Sequence, residues 1–166
     1  IIINVVNSLY LERDLFLTLQ LIEMGKKVTV LLNFSDELKK RKIKVNEKHL
    51  SELLGVEVIN TSAIKKEGFD KLDFAIQNAR LGKQPENIHK ILHNLLDRVG
   101  SQAEALLVAE GDEYISKKHG VEVSSPDDRE FIYIDRRNRV NEIVSFVEVE
   151  DSSKGKLFNL FGRLSV

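Results

Sequence analysis

The chain has 166 residues, room for one ordinary domain or two small ones, and its 42% hydrophobic and 31% charged residues supply both a core and a solvated surface. A formal net charge of -1 leaves no electrostatic footprint for nucleic acid, and the absence of Cys excludes a disulfide framework and a thiolate metal site. No apolar run approaches the ~20 residues that a transmembrane helix requires.

In chain order, Ile1-Ile2-Ile3-Asn4-Val5-Val6 reads as a strand buried on both faces, the pattern of a parallel sheet. There is no Met at position 1 and no signal-peptide pattern, so the reading is that the chain begins in mid-fold. Leu11, Leu15, Leu19 and Ile22 recur at helical spacing, with Gly25 as the C-terminal cap. Residues 28–32 predict a second buried strand, ending at Asn33. Ser35 and Asp36 open a short basic helix running to Lys42. Asn46 caps a helix that ends near Leu54 and Gly55. Residues 56–59 predict a third strand, followed by Asn60-Thr61-Ser62-Ala63, and Gly68 precedes a helix to about residue 81. Strands alternating with helices argue for an α/β unit with a parallel sheet over residues 1–82.

Beyond Gly82-Lys83-Gln84-Pro85 the strand signal stops. Ile88, Ile91, Leu92, Leu95 and Leu96 form a helical stripe, and residues 103–109 and 112–119 continue helical. Ser124-Ser125-Pro126-Asp127 is a turn and cap before a long helix whose apolar positions are Phe131, Ile134, Val140, Ile143, Val144 and Val147. Residues 83–150 therefore predict a small all-α domain, near the lower size limit for autonomous folding and packed on the first unit. Residues 151–166 begin as a polar linker and then alternate apolar and basic positions.

In open parallel sheets, ligands sit beyond the carboxyl ends of the strands. Asn33-Phe34-Ser35-Asp36 and Thr61-Ser62-Ala63 occupy two such ends, 25 residues apart from Asp36 to Thr61. They resemble the N-K-x-D and T/S-S-A turns of GTP-binding proteins, and the resemblance implies a guanine edge, whose N1–H and N2–H can both be accepted by one carboxylate, that of Asp36. An adenine edge would leave that carboxylate unpaired, at a cost of roughly 1–3 kcal/mol or more. The same resemblance implies that Asn33 ties the two loops together and that the backbone N–H near Ala63 donates to guanine O6. Taken alone, the tetrapeptide reads as an ordinary turn with a helix cap. Strand context at both places is what raises it to a candidate.

Leu11-Glu12-Arg13-Asp14-Leu15-Phe16-Leu17-Thr18-Leu19-Gln20, Ser51-Glu52-Leu53-Leu54-Gly55-Val56 and Leu106-Leu107-Val108-Ala109-Glu110-Gly111-Asp112-Glu113 resemble more particularly the ferrous iron transport protein B family (FeoB), as does the stretch from Asp135-Arg136-Arg137 to Ile143-Val144. The resemblance implies the C-terminal half of a P-loop-type GTPase (G) domain in residues 1–82, a helical domain in 83–150, and a linker toward a membrane domain in 151–166. It implies binding of GTP and GDP through Asn33, Phe34, Asp36, Thr61, Ser62 and Ala63, and slow GTP hydrolysis by the intact protein. It also implies a membrane-embedded iron-transport domain as partner, on the cytosolic face of a bacterial or archaeal membrane, and leaves room for a homo-oligomer. Phe34 stands where the general pattern has Lys, and Asn7 where the family has Asp.

The phosphate-cradling G-x-x-x-x-G-K-[ST] stretch is absent, as are the switch segments and the D-x-x-G strand end. Gly155-Lys156 lacks the upstream glycine and the following Ser/Thr. The expectation is that these parts lie upstream of Ile1, that Mg2+ is held by residues outside this chain, and that the fragment alone is inactive. His89 and His93 have a metal-binding spacing but no full ligand set. Glu12-Arg13 and Asp135-Arg136-Arg137 read as solvated or interdomain ion pairs. Lys39-Lys40-Arg41-Lys42 reads as a solvated helix face, with attraction to anionic lipid as the weaker alternative. Two other functions stay open: a G-fold interaction module without nucleotide hydrolysis, and a GTPase of another family acting in ribosome or RNA metabolism. The second is disfavoured by the near-neutral charge.

Overall fold

The computed structural model describes residues 1–150. The first half is built on three parallel strands: β1 (Ile2–Asn7), β2 (Lys27–Asn33) and, after a further strand described below, β4 (Glu57–Asn60). β2 is central, pairing with β1 from Ile2↔Val28 to Asn7↔Asn33 and with β4 from Thr29↔Glu57 to Leu32↔Asn60. Its interior is buried throughout, which is why its sequence is an unbroken apolar and Thr run rather than an alternating one.

Helix α1 (Leu11–Glu23) places Leu11, Leu15, Leu19 and Ile22 against Val6, Val28, Val30 and Leu32. Helix α3 (Glu47–Leu54) adds Leu50 and Leu54 to the same core and starts on the Asn46 cap, whose side chain accepts from the His49 N–H at 3.0 Å. The opposite face is covered by α4 (Leu72–Gln77), where Ala75 and Leu72 meet Leu31 and Ile59. That cover does not reach β1: Ile3 and Val5, on the α4 side, are 42% and 59% exposed. The expectation of a first strand buried on both faces is thus corrected, because the described residues supply a helix layer over only one of its faces.

The other departures are local. Helix α2 (Ser35–Arg41) stops one residue early because Lys42 turns left-handed and caps it. The following β3 (Ile43–Val45) is a strand the sequence pattern does not announce; its partner is β6 (Glu148–Glu150), antiparallel and more than 100 residues away. The helix expected to reach residue 81 ends at Gln77, and β5 (Arg80–Leu81) instead pairs antiparallel with Lys27 and Val28, making the sheet mixed.

In the second unit, helices α5 (Glu86–Val99) and α6 (Gln102–Ala109) pack around Ile88, Leu92, Ala105, Leu106 and Ala109, and α7 (Glu113–His119) joins them through Ile115 at a smaller cluster of Val99, Val108 and Val121. Helix α8 (Pro126–Val147) opens on Ser125, whose Oγ accepts from the Asp128 N–H, with Pro126 at the first helical position. At ~1.5 Å per residue, its 22 residues span roughly 33 Å, long enough to serve both cores. Ile132 lies in the helical core, and Val140, Ile143 and Val147 in the sheet core.

The buried stripe of α8 is Ile132, Arg136, Val140, Ile143 and Val147, while Phe131 and Ile134 are exposed. Stepping back from Val140 by four residues reaches Arg136, which an apolar pattern passes over. Its burial is made tolerable by carboxylates: Arg136 Nε donates to Glu23 Oε2 at 2.8 Å, and Arg136 Nη2 reaches Glu110 as well. Arg139 Nη1 holds the other Glu23 oxygen at 2.8 Å. Burial pushes the Glu23 carboxyl upward against the pull of both arginines; in Arg136 burial, the largest single influence, acts to lower the guanidinium, and the charges and hydrogen bonds of Glu23 and Glu110 together outweigh it and raise it. The two shifts point opposite ways; with both Glu23 oxygens engaged by guanidinium N–H groups, the ionised pair is the state the geometry supports.

Candidate functional site

At the carboxyl ends of β1, β2 and β4 three loops are stitched together by backbone and short polar side chains. The Thr61 N–H donates to the Leu32 carbonyl at 2.8 Å, and the Ser35 N–H donates to the Thr61 carbonyl at 3.1 Å. Thr61 and Ser62 are buried, and Asp36, in the first turn of α2, is 5% exposed. Ser62 Oγ donates to Asp36 Oδ1 at 2.7 Å. Asn33 Oδ1 accepts from the Ala63 N–H at 3.0 Å. The four polar positions expected from the sequence, Asn33, Asp36, Ser62 and the amide at Ala63, are therefore in direct contact across two loops.

The electrostatics follow from this arrangement. The Ser62 hydroxyl holds the Asp36 carboxyl below the usual carboxylate range; burial opposes it, and the residue's own backbone N–H with Lys40 and Lys65 reinforces it. A carboxylate kept ionised is an acceptor for a ligand that presents N–H groups. The Ala63 amide donates to Asn33, so a ligand oxygen arriving there would share or take over that donor. Phe34 is half-buried and left-handed, with φ 71°, a conformation unusual for an aromatic residue. It turns the chain sharply between β2 and α2.

Ser8, Gly68 and Asn7 were not singled out as site residues. Ser8 is fully buried just beyond β1, and its hydroxyl donates to the Asn33 carbonyl, bracing the β2 end from the β1 side. The available signal was its position, the first polar side chain after a strand end. Gly68 sits at φ +84°, where a Cβ would run into the Asn60 carbonyl, so only glycine lets the segment return beneath the Thr61 turn. Asn7 accepts from the Leu9 N–H at 3.0 Å as a cap, a role that an Asp oxygen fills equally well.

Other candidates lie apart from these loops. The His89 and His93 rings are both exposed, 6.3 Å apart between centroids. Among the described residues, no three His, Cys, Asp or Glu side chains are grouped so that they could hold a metal ion. The two loops, Asn33–Asp36 and Thr61–Ala63, offer one carboxylate, already engaged by Ser62, so these loops do not fit a magnesium site. Arg13 pairs with Asp14 at 2.7 Å, and Glu12 with Arg137 at 3.5 Å. An open groove of about 550 Å3 runs between the start of α1 and α8, lined by Tyr10, Arg13, Phe16, Tyr133 and Arg137 among others.

The ferrous iron transport protein B family model matches residues 1–76. An Fe(2+) transporter FeoB of Legionella pneumophila is 29% identical over 178 aligned residues, covering 95% of this chain and 24% of the relative. The solved cytosolic domain of L. pneumophila FeoB superposes with a TM-score of 0.74 at 28% identity, covering 89% of this chain and 67% of that one. The cytosolic domain of the T. maritima FeoB iron transporter in a GDP form gives 0.74 at 25% identity, over 89% and 66% respectively. The chain thus spans about a quarter of the length of the curated relatives it matches. Among the described residues no helix is long and apolar enough to cross a membrane.

Proposed function

We propose, for a chain that sequence and fold tie to the cytosolic domain of the ferrous iron transport protein B family, that it carries the guanine-recognition half of a GTP-binding and GTP-hydrolysing domain. The observation that carries this reading is the contact set at the two loop ends: Asp36 ordered and ionised by Ser62, and Asn33 bonded to the Ala63 amide. A single carboxylate facing N1–H and N2–H selects guanine over adenine, because the adenine edge offers it nothing in return. Thr61 contributes backbone, and Phe34 would cover the base by its face rather than by a hydrogen bond. The known FeoB structure in a GDP form supports a guanine nucleotide as ligand.

Phosphate binding and magnesium belong, in this reading, to residues outside the chain, and so does the hydrolytic step. The domain boundaries follow the same division: residues 1–82 as the G-domain half, 83–150 as the helical domain, 151–166 as the connection to a membrane-embedded iron pathway.

The test is nucleotide competition on the protein with the sequence preceding Ile1 included, using GDP, ADP and xanthosine diphosphate, with and without Asp36→Asn. Preference for GDP that moves to the xanthine nucleotide in the variant is the expected result. Unchanged GDP affinity in Asp36→Asn overturns the assignment of Asp36, and no nucleotide binding at all favours the interaction module.

A further inference from the structure

Four cations at one corner of the fold stand outside the ion pairs of the described residues. Arg41 ends α2, Lys42 forms its cap, Lys44 is the middle residue of β3 and Lys48 lies in the first turn of α3. All four are exposed, and among the described residues none makes an ion pair. Their neighbours in the same run are different: Lys39 is matched by Glu67 and Lys40 by Glu37. Ile43 and Val45 are half-buried, Val45 against the main core, so strand alternation turns Lys44 outward.

The path of the chain supplies the second observation. β6 runs antiparallel to β3, with Glu148 opposite Val45, Val149 opposite Lys44 and Glu150 opposite Ile43. Its carboxyl end is therefore one strand spacing, ~4.8 Å, from the residue that follows Arg41 and Lys42. Beyond Glu150 the sequence continues with Asp151, then Lys154 and Lys156, and then the apolar positions Leu157, Phe158, Leu160 and Phe161.

We propose that the α2–β3–α3 corner docks on anionic phospholipid headgroups, holding this domain against the bilayer beside the place where the chain continues toward its membrane-embedded part. The proposal rests on the functional reading above for the existence of that part. Its physics is independent of the nucleotide: each basic residue near an anionic surface strengthens partitioning about fivefold, and the effect decays within a Debye length, about 10 Å at 0.1 M salt.

Co-sedimentation of the 166-residue chain with phosphatidylcholine vesicles containing phosphatidylglycerol, against pure phosphatidylcholine, tests it. Binding is expected to the anionic vesicles only, and to fall as salt rises. Replacing Arg41, Lys42, Lys44 and Lys48 together by Gln should weaken it by about six hundredfold. Replacing Lys90, Arg98, Lys117 and Arg129 by Gln should change it little, and a set exchanging Arg for Lys and Lys for Arg at the four corner positions should retain it. Circular dichroism melts confirm that each variant folds. No binding to anionic vesicles, equal binding to neutral ones, or equal losses in the two Gln sets overturns the proposal. Tighter corner-dependent binding to duplex RNA than to vesicles also overturns it. Guanine preference is read at the β2 and β4 loops; if it persists while vesicle binding fails, only the docking surface falls. The converse result removes only the nucleotide reading.

Discussion

Replacing Arg136 by Met removes the cation on which the burial of Glu23 depends. The Glu23 side chain is 0% exposed and that of Arg136 3%, so the remaining carboxylate has no route to solvent. Breaking a buried pair by deleting one partner typically costs ~3–5 kcal/mol. Arg139 stays on the other Glu23 oxygen, and its side chain is 22% exposed, so the lower end of that range applies, about 3 kcal/mol. At roughly 2–4 °C per kcal/mol for a chain of this size, the melting temperature should fall by about 6–12 °C. Thermal and guanidinium unfolding followed by far-UV circular dichroism read this directly. Because α8 contributes to both cores, the variant should still melt in one transition. Adding Glu23→Leu to Arg136→Met should restore part of the loss, since the uncompensated charge is then gone. A melting temperature within about 1 °C of the original chain, or two resolved transitions, would refute the reasoning.

Ser62→Ala removes the largest cause of the low Asp36 carboxyl. A depressed native carboxyl contributes stability that is complete above its ordinary value, near ~3.9, and is lost as pH falls through the native one. The variant should therefore be less stable than the original near neutrality, with the gap closing as pH drops below that value; a gap constant with pH would count against the Ser62–Asp36 bond. Gly68→Ala should destabilise more than Gly100→Ala. Both positions are left-handed, costing about 1–2 kcal/mol for a non-glycine residue, but only at Gly68 does the added Cβ meet another group, the Asn60 carbonyl. Equal losses in the two melts would show that the close approach at Gly68 does not constrain the loop.

Much of the architecture was legible because its signals are local. The interior of β2 is an unbroken apolar and Thr run, α1 repeats its leucines at helical spacing, and Asn46 and Ser125 cap the helices they precede. The candidate loops were legible for the same reason: each follows directly on a strand whose end can be read from composition. What escaped were features whose stabilising partner is distant. β3 has only three residues and exists by pairing with β6. β5 has two, and pairs with the start of β2 instead of extending a helix. Arg136 reads as part of a solvated or interdomain ion pair, and only the placement of Glu23, 113 positions away, shows that the pair is buried.

The sequence by itself determined the order of the three parallel strands and of the helices α1, α3, α5 and α8, and which polar residues stand at the strand ends. Backbone propensity, side-chain periodicity and capping act over a few residues, so these choices are made before the chain is compact. Only the tertiary structure decided that Ser62 meets Asp36 and Ala63 meets Asn33, that α8 belongs to both cores, and that the chain leaves the described fold beside Arg41 and Lys42. Those outcomes depend on which distant groups share a desolvated volume or a strand register, and neither is written in any short window of residues.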